Sequence, residues 1–260
     1  MTDSRRTFLG QAGAGLSLVF LAACKPLSQN AWLQNVLNSA EGLNLRLQRL
    51  FAGSNALARE YTRADISSYF RPNGSTDPGT DEYAAFEANA FRDWRLKLDG
   101  LVEEDLAFSL DQLRGMPSRT QITRHDCVEG WSCIGEWKGV QLSRVLALAR
   151  PQPQARYAVF WCADPMGEYY GDDETAEPFY YESLDLIEAN HPQTILAYEL
   201  NGATLPKEHG APVRLRAERQ LGYKQAKYVM RIELVASFKH IRGGRGGYWE
   251  DQGYNWYGGI

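Results

Sequence analysis

The hydrophobic pattern of this chain changes its period every few residues over most of its length. Alternating apolar positions predict short strands at 92–100, 213–216 and 228–235, and further strands are predicted at 121–128, 157–162 and 194–200. Short helical patterns stand between them, at 110–113, 142–149 and 183–188. Because regular strand–helix–strand spacing is absent, the sequence predicts an α+β fold of mixed short strands and helices rather than a doubly wound sheet.

The pattern also predicts how the chain is divided. Apolar residues recur at helical spacing over residues 30–60, and a loop rich in Pro and Gly follows at 71–79. The tail from Gly243 is rich in Gly, Tyr and Trp and is predicted to be irregular. We therefore expect one mature domain at 70–260, preceded by a helical N-terminal segment at 24–69.

The first residues have the order of an export signal. Arg5 and Arg6 precede an apolar stretch at 12–23, which is shorter than the about 20 residues of a membrane-spanning helix. The paired arginines are typical of a twin-arginine signal, and the Leu-Ala-Ala-Cys sequence ending at Cys24 is typical of a bacterial lipoprotein. We expect residues 1–23 to be removed and Cys24 to be lipidated on the periplasmic side of a bacterial membrane. The alternative is a chance arginine pair in an ordinary signal peptide.

Charge and cysteine spacing exclude several classes of protein. The net charge is −4 and no long basic run is present, which argues against nucleic acid as a partner. The cysteines at 24, 127, 133 and 162 show neither a haem-attachment motif nor zinc-ligand spacing. Cys133 and Cys162 could pair in an oxidising compartment, but nothing in their spacing demands a bridge, so we expect free thiols.

Three polar segments stand out, at 123–132, 196–215 and 222–232. They contain His-Asp-Cys-Val-Glu-Gly-Trp-Ser, His-Gly-Ala-Pro-Val-Arg and Gly-Tyr-Lys-Gln-Ala-Lys-Tyr, respectively. In this order they resemble the sulfite oxidase-type molybdopterin oxidoreductases. The resemblance is stronger to the bacterial branch that includes the periplasmic methionine sulfoxide reductase catalytic subunit, and it covers residues 70–257.

The resemblance implies a molybdenum–molybdopterin cofactor, without an attached nucleotide, whose metal is bound by the Cys127 thiolate. A thiolate is a soft anionic ligand that suits a redox metal. Taken alone, Cys127 would be interpreted as a buried structural cysteine, which is a common residue.

The resemblance also implies further residues that hold the cofactor. An arginine offers a fork of donors to a phosphate, a lysine offers a point charge, and a glycine permits close backbone approach. Taken singly, the same charges could be solvated strand ends, and Asn89 could equally be a turn or capping residue. The predicted cofactor-binding residues are Asn89, Cys127, His209, Arg214, Gly222, Tyr223, Lys224 and Gln225.

Residues that could pass protons to a substrate are predicted at Asp164, Asp172 and Tyr181. Their positions resemble the substrate side of the family's active site. A turn aspartate and a core tyrosine are the alternative interpretations.

The residues after Cys127 depart from those of sulfite oxidases, which have a short polar run with arginines there. Here Glu129 stands close to the expected metal and would repel sulfite. We therefore expect two-electron oxygen-atom transfer on another small substrate, such as a sulfoxide or an N-oxide. Because the chain has no haem motif, we also expect an external electron carrier such as a cytochrome. The alternative is a metal-free envelope lipoprotein that kept the fold as a binding module.

Overall fold

The computed structural model describes residues 42–50, 53, 55–166 and 179–260. The chain divides into two units, the second of which begins at Ala52. In the first unit, residues 42–50 are helical. In the second, residues 55–69 contain an isolated β-bridge between Glu60 and Thr123 and a 3-10 turn at Arg63–Asp65 but no α-helix, so the helix predicted over 30–60 is wrong for 55–60. The signal residues, Cys24 and Asp172 lie outside the described residues.

One sheet has the strand order β2-β1-β10-β5-β6. Strands β1 and β10 are parallel, and every other neighbouring pair in this sheet is antiparallel. Its strands are β1 (Arg95–Gly100), β2 (Leu106–Ser109), β5 (Tyr157–Pro165), β6 (Phe179–Asp185) and β10 (Val229–Val235).

The other sheet is antiparallel and has the order β3-β4-β7-β8, with β9 also paired to β7. The loop between β3 and β4 carries Cys127 and is closed by a hydrogen bond from Cys127 N to Trp131 O at 2.9 Å. The strands are β3 (Ser118–Asp126), β4 (Ser132–Gln141), β7 (Ile195–Leu200), β8 (Ala203–Thr204) and β9 (Arg214–Arg216).

Within the described part of the second unit, five short α-helices precede, connect or follow the strands. Three of their N-termini are capped by a side chain; Ser109 Oγ, for example, accepts a hydrogen bond from Gln112 N, and Gln112 Oε1 accepts one from Ser109 N, as in a capping box. The helices are α1 (Asp81–Ala88), α2 (Leu110–Gly115), α3 (Leu142–Ala149), α4 (Leu186–Ala189) and α5 (Tyr248–Asp251). Within the described residues, no helix has the length and apolar character needed to cross a membrane.

The main core lies where the two sheets and α3 meet. Trp94 precedes β1 and is fully buried together with Val140 of β4, Phe160 of β5 and Ile232 of β10. A second cluster, around Phe70 and Trp137, packs beneath the loop that carries Cys127. Burial of these apolar side chains is the main stabilising contribution to the fold and fixes the loops at the sheet ends.

The predicted α+β class is confirmed, and each predicted strand overlaps an observed one. The helix predicted at 183–188 is wrong over its first half, because β6 continues to Asp185 and pairs there with Tyr157 of β5. The helix α4 begins only at Leu186, where the Asp185 side chain caps Glu188 N. The tail predicted to be irregular contains the single-turn helix α5.

Candidate active site around Cys127

A cavity of about 200 Å³ opens beside Cys127. Loops from both sheets form its walls, which explains why its residues are far apart in the sequence. The residues that line it are Asn73, Gly74, Ser75, Cys127, Val128, Glu129, Asp164, Met166, Tyr180, Gly222, Tyr223, Gln225, Ala226, Lys227, Trp249 and Tyr254.

Cys127 is a half-buried free thiol at this cavity. Burial raises the pKa of the thiol above its usual value, and the nearby Glu129 carboxylate adds to this effect, whereas backbone hydrogen bonds and Arg71 lower the pKa. A bound cation reverses this balance because a metal stabilises the thiolate directly. Cys133 and Cys162 are also free thiols, as expected.

Arg214 is fully buried and partly unpaired. Its guanidinium donates to His209 O at 3.1 Å, to Gln225 O at 3.2 Å and to Asn73 Oδ1 at 3.4 Å. Its Nε has no hydrogen-bond partner among the described residues. Burial and the charge of neighbouring Arg216 lower the pKa of Arg214 to about 9. A buried guanidinium held only by neutral oxygens is suited to binding an anion.

His209, also predicted to bind the cofactor, lies next to Arg214, but neither residue lines the cavity itself. It ends a 3-10 turn at Lys207–His209, and the following Gly210 has a φ of 104°. Its ring packs edge-on against Phe70, with ring centroids 5.6 Å apart. Burial and the charge of Arg214 lower the pKa of His209 to about 4, so the ring is neutral at neutral pH. The buried Nδ1 atom has no described partner.

Gly222, Tyr223 and Gln225 line the cavity where the sequence analysis expects them. Gly222 begins the 3-10 turn Gly222–Lys224, and a Cβ at this position would lie 2.5 Å from His125 Nε2. Tyr223 OH donates to Asn255 O at 2.7 Å, and Gln225 Nε2 donates to Gln220 O at 3.0 Å. Hydrogen bonds to Asn255 and Gln220 therefore hold this turn in place.

Lys224, predicted as a phosphate ligand, points away from the cavity. Its buried ammonium forms ion pairs with Glu182 and with Glu250, the latter at 2.6 Å. Two carboxylates therefore already neutralise this charge, so the phosphate-binding role does not fit the structure.

Lys227 is the cation that reaches the cavity instead, and the sequence analysis missed it. Its ammonium donates to the backbone oxygen of Ser75 and to Glu208 O. Burial and the charge of Arg214 lower the pKa of Lys227 to about 7. The available signal was the second lysine of the Gly-Tyr-Lys-Gln-Ala-Lys sequence, three residues after Lys224.

Asn89 also lies away from the cavity, because it caps the end of α1. Its Nδ2 donates to Asp93 Oδ2 at 2.7 Å, and its Oδ1 accepts from Arg92 N at 3.0 Å. The capping alternative is therefore the correct one. The asparagine that lines the cavity is Asn73, in the Pro-Asn-Gly loop that the sequence marks only as a turn.

The three predicted proton-passing residues are not all brought together. Asp164 lines the cavity and is buried; its Oδ2 accepts from Ser75 Oγ at 3.0 Å. Tyr181 does not line this cavity: its hydroxyl donates to Asp251, and its ring stacks on Trp161. Asp172 lies outside the described residues. Tyr180, adjacent to Tyr181, lines the cavity instead.

Three side chains form a polar group at the cavity mouth. Glu129 Oε2 accepts from Trp131 Nε1 at 2.9 Å and lies 3.8 Å from Arg71 Nη2. The Arg71 guanidinium also stacks over the Trp131 ring, 5.3 Å from its centroid. Half of the Glu129 side chain is exposed. Because Arg71 is 3.8 Å away, it offsets the negative charge of Glu129 only in part.

The residues at the cavity fit a cofactor that carries both a metal and a phosphate. Cys127 provides one soft ligand and Lys227 one cation at the cavity, and the buried Arg214 lies behind the cavity wall, where it donates to Asn73 and Gln225. Unpartnered polar atoms at Arg214 Nε, His209 Nδ1 and Asp164 Oδ1 require further partners. Among the described residues, no group of three or more His, Cys, Asp or Glu side chains could hold a metal alone. The cofactor itself would therefore supply the other ligands.

Comparison with known proteins identifies the class. Residues 83–240 match the family described as oxidoreductase molybdopterin binding domain. The chain belongs to this family, so it is an enzyme that depends on a molybdenum–molybdopterin cofactor. The resemblance drawn from the three polar segments is therefore confirmed.

Two relatives within this family are named as subunits of protein-methionine-sulfoxide reductases. The chain is 36% identical over 256 residues to a putative protein-methionine-sulfoxide reductase subunit of Azospira oryzae, covering 98% of this chain and 88% of that protein. It is 36% identical over 181 residues to the protein-methionine-sulfoxide reductase catalytic subunit of Xanthomonas axonopodis, covering 68% of this chain and 56% of that protein.

A solved structure of the sulfane dehydrogenase SoxCD from Paracoccus pantotrophus is also similar. The TM-score is 0.49 at 25% sequence identity, and the match covers 58% of this chain and 40% of that chain.

Proposed function

We propose that this enzyme reduces a small, neutral oxide, a sulfoxide in the first place and an N-oxide in the second, by two-electron oxygen-atom transfer. The observation that carries the proposal is the Glu129 carboxylate beside Cys127, which is only partly offset by Arg71. The two relatives named as protein-methionine-sulfoxide reductases support the sulfoxide class.

The charge at the cavity mouth decides between substrate classes. An anion such as sulfite would have to pass the Glu129 carboxylate, which repels it even though solvent and Arg71 screen part of the charge. A neutral sulfoxide does not carry this cost. Its alkyl groups would contact the apolar side chains of Val128, Met166 and Trp249, which line the cavity.

The cofactor supplies two-electron oxygen-atom transfer chemistry when it is bound. Cys127 would bind the metal, and Arg214 and Lys227 would hold the terminal phosphate of the pterin. Gly222 and Gly74 allow the backbone to approach closely. One cation at the cavity, Lys227, and a second behind its wall, Arg214, suit a single phosphate, which supports a cofactor without an attached nucleotide.

The electrons would come from outside this chain. The sequence has no haem motif, so a separate carrier, such as a cytochrome, would deliver them singly. The twin-arginine signal and the lipid on Cys24 would place the enzyme on the periplasmic side of a bacterial membrane, close to a membrane-bound carrier.

The test begins with molybdenum content and substrate turnover of mature protein from a host that makes the cofactor. We expect nearly one molybdenum per chain, and reduction of methyl sulfoxides with reduced viologen dye as electron donor. In a separate assay with ferricyanide as electron acceptor, we expect little oxidation of sulfite. Cys127→Ser should remain folded and lose turnover. Glu129→Gln should keep sulfoxide reduction and gain sulfite turnover.

Each outcome has a definite meaning. Sulfite turnover without sulfoxide reduction in the wild type would overturn the proposed substrate class. Well-folded protein without any molybdenum would favour the alternative of an envelope lipoprotein that kept the fold as a binding module. Full activity of Cys127→Ser would contradict the assigned metal ligand.

A further inference from the structure

Asp164 is a buried carboxyl group that opens onto the same cavity as Cys127. It stands near the end of β5, and only 5% of its surface is exposed. Its Oδ2 accepts a hydrogen bond from Ser75 Oγ at 3.0 Å. Its Oδ1 is buried and has no hydrogen-bond partner among the described residues. An unsatisfied carboxyl oxygen in a cavity is costly for structure alone and calls for a partner that enters the cavity.

Among the described residues, the charge that acts on Asp164 comes from a single lysine. Lys227 attracts its carboxylate, although the lysine ammonium itself donates to backbone oxygens of Ser75 and Glu208. The other titratable groups that face Asp164 have pKa values raised by burial, so they are neutral at neutral pH. They are Tyr83 from α1, Cys162 from β5, Tyr180 from β6 and Tyr228 beside β10.

This environment favours the protonated form of Asp164. Burial raises the pKa of Asp164 to about 6, although Lys227 and the Ser75 hydrogen bond both lower it. A carboxyl group that titrates close to neutral pH can both donate a proton and regain it from solvent. Glu129, the other acid at the cavity, is half exposed and bonds Trp131, so it does not present an open oxygen in the same way.

We propose that Asp164 is the general acid that protonates the oxygen released from the substrate, an inference that rests on the proposed function. Reduction of a sulfoxide consumes two electrons and two protons, breaks the S–O bond and releases a sulfide and water. The external carrier supplies the electrons. The Asp164 carboxyl supplies one proton to the released oxygen, solvent at the cavity mouth supplies the other, and Asp164 then takes a proton back from solvent.

Two variants test this role on the molybdenum-loaded enzyme. Asp164→Asn keeps the shape but cannot donate a carboxyl proton, so kcat should fall roughly 100-fold, the lower range for general acid catalysis. In the wild type, kcat should fall as the pH rises through about 6, because the acid must be protonated to act. In Asp164→Asn this fall should be absent. Ser75→Ala removes a hydrogen bond that lowers the pKa, so the fall should move to higher pH.

Infrared spectroscopy of the loaded enzyme gives a readout that does not depend on turnover. We expect the C=O stretch of a protonated carboxyl group in the wild type, lost as the pH rises through about 6 and missing from Asp164→Asn. The buried Glu182, whose pKa is also raised, should give a signal that persists in the variant. Molybdenum content is measured in each preparation.

The outcomes separate the two proposals. If the wild type does not reduce sulfoxides, the proposed function fails, whereas the infrared signal still reports on Asp164. If Asp164→Asn matches the wild type in kcat and pH profile, the acid role is overturned and the proposed function stands. If Asp164→Asn loses molybdenum and Ser75→Ala does not shift the pH profile, Asp164 holds the cofactor and the acid role is again overturned.

Discussion

The Lys224 ammonium lies 2.6 Å from Glu250 Oε1 and is bonded on its other side by Glu182, with all three side chains fully buried. This cluster joins β6, the Gly222–Lys224 turn and α5. Burial and the neighbouring Glu250 charge raise the pKa of Glu182, because one lysine cannot neutralise two carboxylates. The cluster therefore fixes the turn that carries Tyr223 at the cavity.

Replacing Lys224 should destabilise the fold. Lys224→Met leaves two carboxyl groups buried without their cation, and breaking a buried pair in this way costs about 3–5 kcal/mol. Urea unfolding measures the change in the free energy of unfolding. The matched control is Lys138→Met, which removes a partly exposed pair with Glu199 and should cost less than about 1 kcal/mol. Equal losses in the two variants would contradict the buried cluster.

Removal of the cavity cations should weaken retention of the cofactor. Arg214→Ala combined with Lys227→Ala deletes both proposed phosphate contacts, and each charge-assisted hydrogen bond contributes about 1.5–3 kcal/mol. Molybdenum retained after extensive dialysis should drop at least about tenfold. Lys207→Ala is the control, since this lysine pairs with Asp77 and Glu87 outside the cavity. Unchanged occupancy in the double variant would refute the phosphate site.

The distinction between Lys224 and Lys227 shows where sequence reasoning stops. The motif predicts a cation near the cofactor, but Lys224 is neutralised by Glu182 and Glu250, which are 42 and 26 residues away. No local pattern carries that information. The prediction for Asn89 was wrong for the opposite reason, because its partners Arg92 and Asp93 are local and hold it as a cap at the end of α1.

Many of the strands could be predicted from the sequence, because the pattern of apolar residues along a strand is a local property. Strand β5 was found because its apolar residues dominate, whereas β4 was missed because Gly135 and Gly139 interrupt its buried face. Gly139 is required by tertiary packing, since a Cβ there would lie 2.1 Å from Leu196 O on β7. The sequence alone does not disclose such an approach.

Gly222→Ala should disturb the cavity wall. The added Cβ would lie 2.5 Å from His125 Nε2 and 3.2 Å from Asp126 O, so the turn or the histidine must move. Overpacking of this kind costs about 1–3 kcal/mol. We expect a lower melting temperature together with weaker molybdenum retention. Gly115→Ala is the control because its added Cβ meets nothing within 4 Å; a similar loss there would remove the steric explanation.

The final prediction concerns the reactivity of Cys127 in cofactor-free protein, prepared in a Cys24→Ser background to remove the lipid site. Iodoacetamide should label Cys127 alone, since Cys133 and Cys162 are buried. Burial raises the pKa of the Cys127 thiol, and the thiolate is the reacting form, so labelling should be slow at neutral pH and accelerate as the pH rises above 9. Mass spectrometry of the labelled peptides measures the rate at each pH. Loading the cofactor should abolish labelling, because a metal-bound thiolate is no longer available, and Cys127→Ser should show no label in either form. Equal labelling of loaded and cofactor-free protein would place the metal elsewhere.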